Sequence, residues 1–220
     1  MTDFEKKIGY SFRNPKYLTR ALTHSSYANE HHVGDNERLE FLGDAVLSLI
    51  VSENLFKNHS EDSEGDLSKI RASLVCEQAL FEISKKIGLA QQIKLGRGEE
   101  LTGGRKRQSV IADAFEALLA AIFLDSDFHT AKEWLLNLMN EELSQATVGN
   151  LGDYKSMLQE HTQKMTHGKV TYRLVSEHGP DHSKKFECEV LIDGVVKAKG
   201  TGKSKKDAEQ AAAEAVYKNL

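Results

Sequence analysis

Acidic side chains interrupt two apolar segments of this sequence in a pattern suited to binding metal ions. The first segment, NERLEFLGDAVL, carries Glu37, Glu40 and Asp44 beside large apolar residues. On a helix these positions lie three and four residues apart, so the three carboxylates share one stripe. The second segment, SVIADAFEALLAAIFL, carries Asp113 and Glu116 three residues apart. Both segments therefore place carboxylates on helices that are otherwise suited to burial.

Buried carboxylates require compensating positive charge. An ionised carboxylate in apolar surroundings costs several kcal/mol unless it is paired or binds a metal. Salt bridges to Arg38, Lys69 and Arg71, or a solvated acidic face, are the alternatives that the sequence offers. A metal site accounts better for acids that stand nearly alone on apolar helices. The ligands would all be oxygens, without histidine at Glu-x-x-His spacing, which favours Mg²⁺ or Mn²⁺ over zinc or a di-iron centre.

The elements that must position these acids form an all-helical N-terminal part. Apolar residues recur at helical spacing over residues 36–58, about 67–87, 109–125 and 130–144. Thr2 with Glu5, and Thr130 with Glu133, have the spacing of capping boxes, and Gly88 is placed to end a helix. The glycine-rich basic segment GRGEELTGGRKRQ predicts a surface loop between two of these helices.

A second domain follows a linker in the aperiodic segment SQATVGNLGD. We predict a first domain over residues 1–146, a linker over 147–152 and a second domain over 153–220. In the second domain, DYKSMLQEHTQK predicts a helix, and VTYRLVSEHG, KKFECEVLID and VVKAKG predict strands, with a tight turn at Asp193 and Gly194. A final helix, capped by Ser204, predicts close docking on the sheet through Ala208, Ala211, Ala212, Ala215 and Val216. The predicted fold is multidomain, α followed by α+β in the order α-β-β-β-α.

Composition and charge limit the classes of function. The 220 residues include only two cysteines, so neither a disulfide framework nor a cysteine metal site is expected. The N-terminal segment MTDFEKKIGY has no apolar secretory core, and the most apolar run, AFEALLAAIFL, is too short for a membrane span and carries an acid. We expect a cytoplasmic protein without a membrane partner. Residues 1–152 hold 17 Lys and Arg with 23 Asp and Glu, whereas residues 153–220 hold 12 with 10. This asymmetry predicts two parts with different partners.

The two acidic segments together resemble the nuclease domain of bacterial ribonuclease III. The segments LTHSSY, EGDLSKIRASLV and the glycine-rich basic loop extend the similarity over the first domain. Ala45 stands where many relatives have serine and Ala120 where many have glycine, and neither change removes an acid. The resemblance implies that Asp44 and Glu116 are catalytic and that Glu37 supports the centre or faces substrate. The metal-binding acids it implies are Glu40, Asp44, Asp113 and Glu116.

The same resemblance implies an activity and partners. The family hydrolyses double-stranded RNA with Mg²⁺, for which Mn²⁺ substitutes, and leaves 5′-phosphate and 3′-hydroxyl ends with short 3′ overhangs. It acts as a homodimer in ribosomal RNA processing and messenger turnover, without an organic cofactor. An apolar surface that includes Phe41 would pair the subunits, with ordinary core packing as the alternative. A non-cleaving RNA-binding regulator and a metal hydrolase of small phosphoesters are the rival functions. The complete set of acids argues against the regulator, and the C-terminal part argues against the hydrolase.

The C-terminal part resembles a double-stranded-RNA-binding domain in its element order, its GPDH segment and its GTGKSKKDAEQAAA segment. Three lysines gather where the final helix begins, although the helix dipole already places positive charge there. Binding of phosphate would resolve this conflict, and a solvated charge run is the alternative. Such domains read the shape of the duplex and its 2′-hydroxyls. The RNA contacts implied by the resemblance are Ser156, Gln159, Gln163, His182, Lys203, Lys205 and Lys206.

Overall fold

A computed structural model describes residues 1–147, 154–179 and 184–220 of the chain. The chain divides into two compact units, Met1–Ala146 and Thr147–Leu220. Apart from Thr147, the predicted linker lies outside the described residues. Within the described ranges, no helix has the length and apolar character needed to cross a membrane.

The first unit, all of whose residues are described, is helical, as the sequence predicts. Its α-helices in chain order are α1 (Asp3–Ile8), α2 (Pro15–Ala21), α3 (Ser25–His31), α4 (Glu37–Asn58), α5 (Glu64–Val75), α6 (Glu77–Ile87), α7 (Arg97–Leu101), α8 (Gln108–Asp125), α9 (Phe128–Leu138) and α10 (Asn140–Gln145). Helix α8 forms the centre of the core, where Phe115, Leu118, Leu119 and Ile122 are fully buried. Helices α2, α4, α6 and α9 all contact α8.

A buried carboxylate at the end of α8 fixes the N-terminal segment. Asp125 accepts hydrogen bonds from the backbone N–H groups of Arg13 and Asn14 at 2.7 and 2.8 Å, and from the Tyr10 hydroxyl at 2.8 Å. Burial alone would raise the pKa of Asp125, but these hydrogen bonds hold it below its ordinary value. The start of α2 is thereby held against α8.

Two segments predicted as single helices are each divided in two. The predicted helix over 67–87 breaks at Cys76, which adopts an extended conformation with φ −72° and ψ 156° between α5 and α6. The predicted helix over 130–144 breaks at Met139 between α9 and α10. Apolar periodicity continues through the break at Cys76, because α6 also turns an apolar face to the core, whereas α10 has no buried residue. Periodicity alone therefore did not reveal the break at Cys76.

The predicted helix ends are confirmed at some positions and wrong at one. The capping box of Thr2 and Glu5 is present, and Gly88 ends α6 in the left-handed conformation. The capping box predicted for Thr130 and Glu133 is wrong. The N-cap of α9 is instead Asp127, three residues earlier, because its side chain accepts a hydrogen bond from the Thr130 N–H at 2.8 Å.

The segment predicted as a surface loop contains ordered structure. It forms α7 and a short 3-10 helix over Gly104–Lys106. Arg105 donates to Glu100 at 2.5 Å and to the carbonyl oxygens of Ala90 and Ile93 at 2.5 and 2.9 Å. These bonds fasten the segment to the chain just before it, so its charged residues act as internal braces.

The second unit has the predicted order of helix, three strands and helix. Helix α11 (Tyr154–Thr166) precedes the strands β1 (Val170–His178), β2 (Lys185–Ile192) and β3 (Val195–Gly202), and α12 (Lys205–Tyr217) follows them. The sheet is antiparallel in the order β1-β2-β3. Asp193 and Gly194, with φ of 50° and 79°, make the predicted turn between β2 and β3.

Helix α12 docks closely on β3 because both elements present small residues. A side chain at Gly200 would place its Cβ 2.1 Å from the Ala212 nitrogen, and one at Gly202 would lie 2.4 Å from the Ala208 nitrogen. The predicted stripe of small residues is correct at Ala208, Ala212 and Val216, all of which are buried. It is wrong for Ala215, which is exposed, whereas Ala213 is buried instead.

Candidate active centre and RNA-binding surface

The acid-bearing helices α4 and α8 cross in direct backbone contact at Gly43. A Cβ at Gly43 would lie 1.9 Å from the carbonyl oxygen of Glu116 and 2.4 Å from its carbonyl carbon. Only glycine permits this approach. Glu40 and Asp44 flank Gly43 on α4, so the crossing brings them beside the acids of α8.

The carboxylates at this crossing act on one another. Burial raises the pKa of Glu116 to about 8, helped by the charges of Asp44, Asp113 and Glu40. Burial and the charge of Glu40 likewise raise the pKa of Asp113 to about 6. Burial also raises the pKa of Glu40, with further contributions from Glu37 and Asp44. The acids predicted from two separate segments therefore form one electrostatic cluster.

Two further acids lie at the margin of this cluster. Glu37 is exposed at the start of α4, where its N–H donates to the Asp35 carboxylate at 3.2 Å, and its charge raises the pKa of Glu40. Glu77 is the first residue of α6, and its charge contributes to the raised pKa of Asp113 and Glu116. The sequence did not single out Glu77, because the break at Cys76 that places it at a helix start was not predicted.

Histidine and arginine side chains give this cluster little compensation. His24, in the segment LTHSSY, is the one positive contribution that lowers the pKa of Glu40 among the described residues. Within the residues that the structure describes, no Lys or Arg lowers the raised pKa of Asp113. Arg71, one alternative salt-bridge partner, instead donates to the Ser52 hydroxyl at 3.1 Å. For Asp113 and Glu116, the two acids on α8, no cation among the described residues offsets the raised pKa.

The donor set suits a hard divalent cation, although the side chains do not yet converge on one point. Within the described residues, no three His, Cys, Asp or Glu side chains are placed to ligate one ion as they stand. Carboxylates in mutual repulsion, with a pKa as high as that of Glu116, are nevertheless the groups that a bound cation would stabilise. Glu40, Asp113 and Glu116 are partly buried and Asp44 is exposed. Partly buried carboxylates with raised pKa beside an open edge fit a metal better than a structural salt bridge.

The predicted RNA contacts of the second unit lie on α11 and at the start of α12. Ser156, Gln159 and Gln163 follow one another at intervals of three and four residues on α11, which places them on one face. Gln159 and Gln163 are exposed. Lys155 pairs with Glu209, and this ion pair joins α11 to α12. His182 lies outside the described residues.

The three predicted lysines are all exposed around the start of α12. Lys203 precedes the helix, and Lys205 and Lys206 are its first two residues. Ser204 caps the helix by accepting a hydrogen bond from the Asp207 N–H at 3.1 Å. Three ammonium groups and the positive end of the helix dipole therefore share one surface, which favours an anion.

Helix α4 also has an exposed apolar side. Phe41, Leu49 and Phe56 are 81%, 57% and 76% exposed. Their spacing of eight and seven residues keeps them on one side of the helix. Large apolar groups exposed together on one side of a helix indicate a surface for another protein.

The two units match two known families. Residues 14–143 match the family described as Ribonuclease-III-like, and residues 154–220 match the double-stranded RNA binding motif. The chain is 50% identical over 216 residues to "Ribonuclease 3" of Caldanaerobacter subterraneus subsp. tengcongensis. The aligned residues cover 97% of this chain and 95% of that protein. It is 45% identical over 220 residues to "Ribonuclease 3" of Bacillus cereus (strain ATCC 14579), covering 99% and 90%.

Solved structures agree with these sequence matches. Two solved structures of the nuclease domain of ribonuclease III from Campylobacter jejuni are 42% and 40% identical to this chain, with TM-scores of 0.60 and 0.61. They cover 63% and 66% of this chain and 95% and 99% of their own. One of them is described as showing structural flexibility in the region involved in dimer formation. The chain therefore belongs to the ribonuclease III family, a family of metal-dependent endoribonucleases that act on double-stranded RNA.

Proposed function

We propose that Glu40, Asp44, Asp113 and Glu116 hold Mg²⁺ at the crossing of α4 and α8 for hydrolysis of double-stranded RNA. Mn²⁺ substitutes for Mg²⁺ in this proposal, because both are hard cations that prefer oxygen ligands. The observation that carries it is the cluster of uncompensated carboxylates, in which the pKa of Glu116 is raised to about 8. Of the four acids, Asp44 and Glu116 are proposed as catalytic.

The chain contributes placement and charge to this chemistry. A bound divalent ion supplies Lewis acidity toward the phosphate and lowers the pKa of its bound water. Helix α8 fixes Asp113 and Glu116 at the edge of the buried core, and α4 presents Glu40 and Asp44 across the Gly43 contact. Glu37 and Glu77 add negative potential at the margin, which strengthens attraction for a cation.

The second unit is proposed to hold the duplex independently of the metal. Ser156, Gln159 and Gln163 would contact the minor groove from α11, together with His182. Lys203, Lys205 and Lys206 would contact phosphates of the intervening major groove. We accordingly divide the chain into a nuclease domain over 1–146, a linker over 147–152 and an RNA-binding domain over 153–220.

The nuclease domain is proposed to pair with a second copy through the exposed side of α4. Phe41, Leu49 and Phe56 would be removed from water by such pairing, and burial of each is worth about 1.5–3 kcal/mol. The relative from Campylobacter jejuni has a region of its nuclease domain involved in dimer formation. A homodimer would supply one acidic centre for each strand of the duplex.

Membership of the ribonuclease III family also leads us to propose the reaction products and the cellular roles. We propose 5′-phosphate and 3′-hydroxyl ends with short 3′ overhangs, and roles in ribosomal RNA processing and messenger turnover in the cytoplasm. No organic cofactor is proposed.

The function is tested on long duplex RNA in chelator, and again after Mg²⁺ or Mn²⁺ is returned. We expect no cleavage in chelator, cleavage with either ion, and retained duplex binding under all three conditions. Mapping of the product ends should give 5′-phosphates and two-stranded breaks with a 3′ stagger. Cleavage that persists in chelator, or products with 5′-hydroxyl ends, would reject the proposed metal-dependent hydrolysis.

A further inference from the structure

A cavity of about 890 Å³ lies in the first unit, and none of its lining residues belongs to the acidic cluster. It is formed by α2, α3, the segment after α3 and Lys94. Three cations, Lys16, Arg20 and Lys94, line it together with Tyr27 and His31. No Asp or Glu lines it, although acids outnumber bases in this unit. Its positive lining is therefore a local feature that runs against the charge of its surroundings.

Arg20 is held in place at this cavity. Its Nε donates to the carbonyl oxygen of Asp35 at 2.9 Å, and its guanidinium lies against Gly34. Within the described residues, its terminal nitrogens make no further hydrogen bond. A guanidinium that is anchored at Nε and keeps its two terminal groups open is suited to an oxyanion such as phosphate.

An aromatic pair stands beside these cations. The rings of Tyr27 and His31 are stacked, with centroids 4.0 Å apart and planes 29° apart. The Lys94 ammonium lies 5.9 Å from the centroid of Tyr27. The backbone of Lys94 is fixed, because its N–H donates to the Leu22 carbonyl at 2.7 Å and its carbonyl accepts from the His24 N–H at 3.1 Å. The cavity thus combines a π-surface with positive charge, of which the Arg20 guanidinium is the anchored part.

We propose that this cavity binds one nucleotide, with its phosphate on Arg20, Lys16 and Lys94 and its base against Tyr27 and His31. Aromatic stacking and cations along the backbone are how proteins hold unpaired nucleotides without reading sequence. The volume of about 890 Å³ accommodates such a ligand. A base inside a duplex cannot be the ligand, because both of its faces are already stacked on the neighbouring base pairs. The ligand is therefore a free mononucleotide or an unpaired nucleotide of an RNA.

Binding is measured by titration of the full chain with AMP and with inorganic phosphate, in chelator, so that the metal centre takes no part. We expect AMP to bind about tenfold more tightly than phosphate, because only AMP can stack. Tyr27→Leu should remove this preference. The double change Lys16→Gln with Lys94→Gln, which leaves the Arg20 anchor intact, should weaken AMP at least tenfold. Lys6→Gln, an exposed lysine outside the cavity, is the matched control and should change neither affinity.

The source of the nucleotide is decided by duplexes that are blunt or carry unpaired 3′ nucleotides. Tighter binding of the extended duplex by the wild type, lost in Tyr27→Leu, identifies RNA as the source. Binding of AMP without an effect of the extension identifies a free nucleotide. The proposal is overturned if neither ligand binds, if AMP and phosphate bind equally, or if binding survives both cavity variants. Matched thermal unfolding of the variants shows that each is folded.

Discussion

At the scale of single residues, the acidic centre is defined by charges that the chain does not pair. Residue type and spacing were enough to select Glu40, Asp44, Asp113 and Glu116 as a group, because acids on apolar helices stand out in a sequence. Their binding of a metal stays a prediction. Glu77 could not be predicted in the same way, since its position near the cluster depends on the helix break at Cys76 and on the packing of α6 against α8. The part of a site contributed by one helix is readable from its periodicity, and the part set by packing between helices is not.

The raised pKa of Glu116 predicts how stability depends on pH without metal. The group ionises near its ordinary value of 4.5 when unfolded and at about 8 when folded, so the folded chain holds the proton more tightly. Its contribution to stability is present below pH 4.5 and is lost as pH rises through 8. In chelator, Glu116→Gln should therefore stabilise the protein at pH 8.5 by about 1–3 kcal/mol, after allowance for solvent screening, and hardly at all at pH 4.5.

Thermal unfolding in chelator at several pH values measures this difference. Glu61→Gln, an exposed acid between α4 and α5 whose hydrogen bond comes from the Ser60 hydroxyl, is the matched control and should leave the pH dependence unchanged. A gain from Glu116→Gln of the same size at both pH values would show that Glu116 is not held protonated by its surroundings.

At the scale of elements, packing decided where the helices end. The start of α1, the end of α6 and the order of the second unit were predictable, because each depends on a local signal such as a cap or a turn. The breaks at Cys76 and Met139 carry no glycine or proline, so no local signal marks them. The segment GRGEELTGGRKRQ is ordered by ion pairs between its own residues. From composition alone, the same charged residues indicate only a solvated surface loop.

The contact of α4 with α8 predicts a strong effect of Gly43→Ala. The new methyl group would meet the Glu116 carbonyl at 1.9 Å, so the helices must separate. We expect destabilisation by about 1–3 kcal/mol or more, and a loss of cleavage greater than the loss of stability explains. Gly98→Ala is the control, because nothing lies within 4 Å of a Cβ there. Full activity of a folded Gly43→Ala variant would contradict a centre built on this crossing.

The start of α12 predicts a uniform effect on RNA affinity. Changing Lys205 and Lys206 to alanine should weaken binding to all RNA duplexes alike. It should also flatten the salt dependence by about one unit of log–log slope per lost phosphate contact. Lys218→Ala, at the other end of the helix, should leave the slope unchanged. Titration at several salt concentrations measures it, and an unaltered slope in the double variant would remove these lysines from the phosphate contacts.

At the scale of the whole molecule, the chain separates chemistry from binding. The unit with the acidic cluster has excess negative charge, and the second unit has a slight excess of positive charge and a core of its own. This separation predicts that the loss of metal chemistry need not weaken affinity for the duplex. It also leaves one task to the surface of the first unit, which is to bring a second acidic centre to the other strand.

The exposed side of α4 predicts the oligomeric state. Changing Phe41 and Phe56 to serine should shift the full chain from dimer toward monomer at micromolar concentration, because each subunit would lose about 3–6 kcal/mol of apolar burial on pairing. Leu101→Ser, at an equally exposed leucine on α7, should leave the dimer intact. Sedimentation at several concentrations measures the state. A double variant as dimeric as the wild type would place the contact elsewhere.

The most direct test of the account compares cleavage and binding in one variant, Glu116→Gln. The change removes a carboxylate from the proposed metal centre and leaves the lysines and α11 of the second unit untouched. Assayed on the same long duplex RNA with Mg²⁺, the variant should lose cleavage by several orders of magnitude while its affinity stays within about twofold of the wild type. Glu133→Gln should behave as the wild type in both assays. Cleavage at the wild-type rate, or parallel loss of cleavage and binding in a folded variant, would contradict the assignment of Glu116 to the metal.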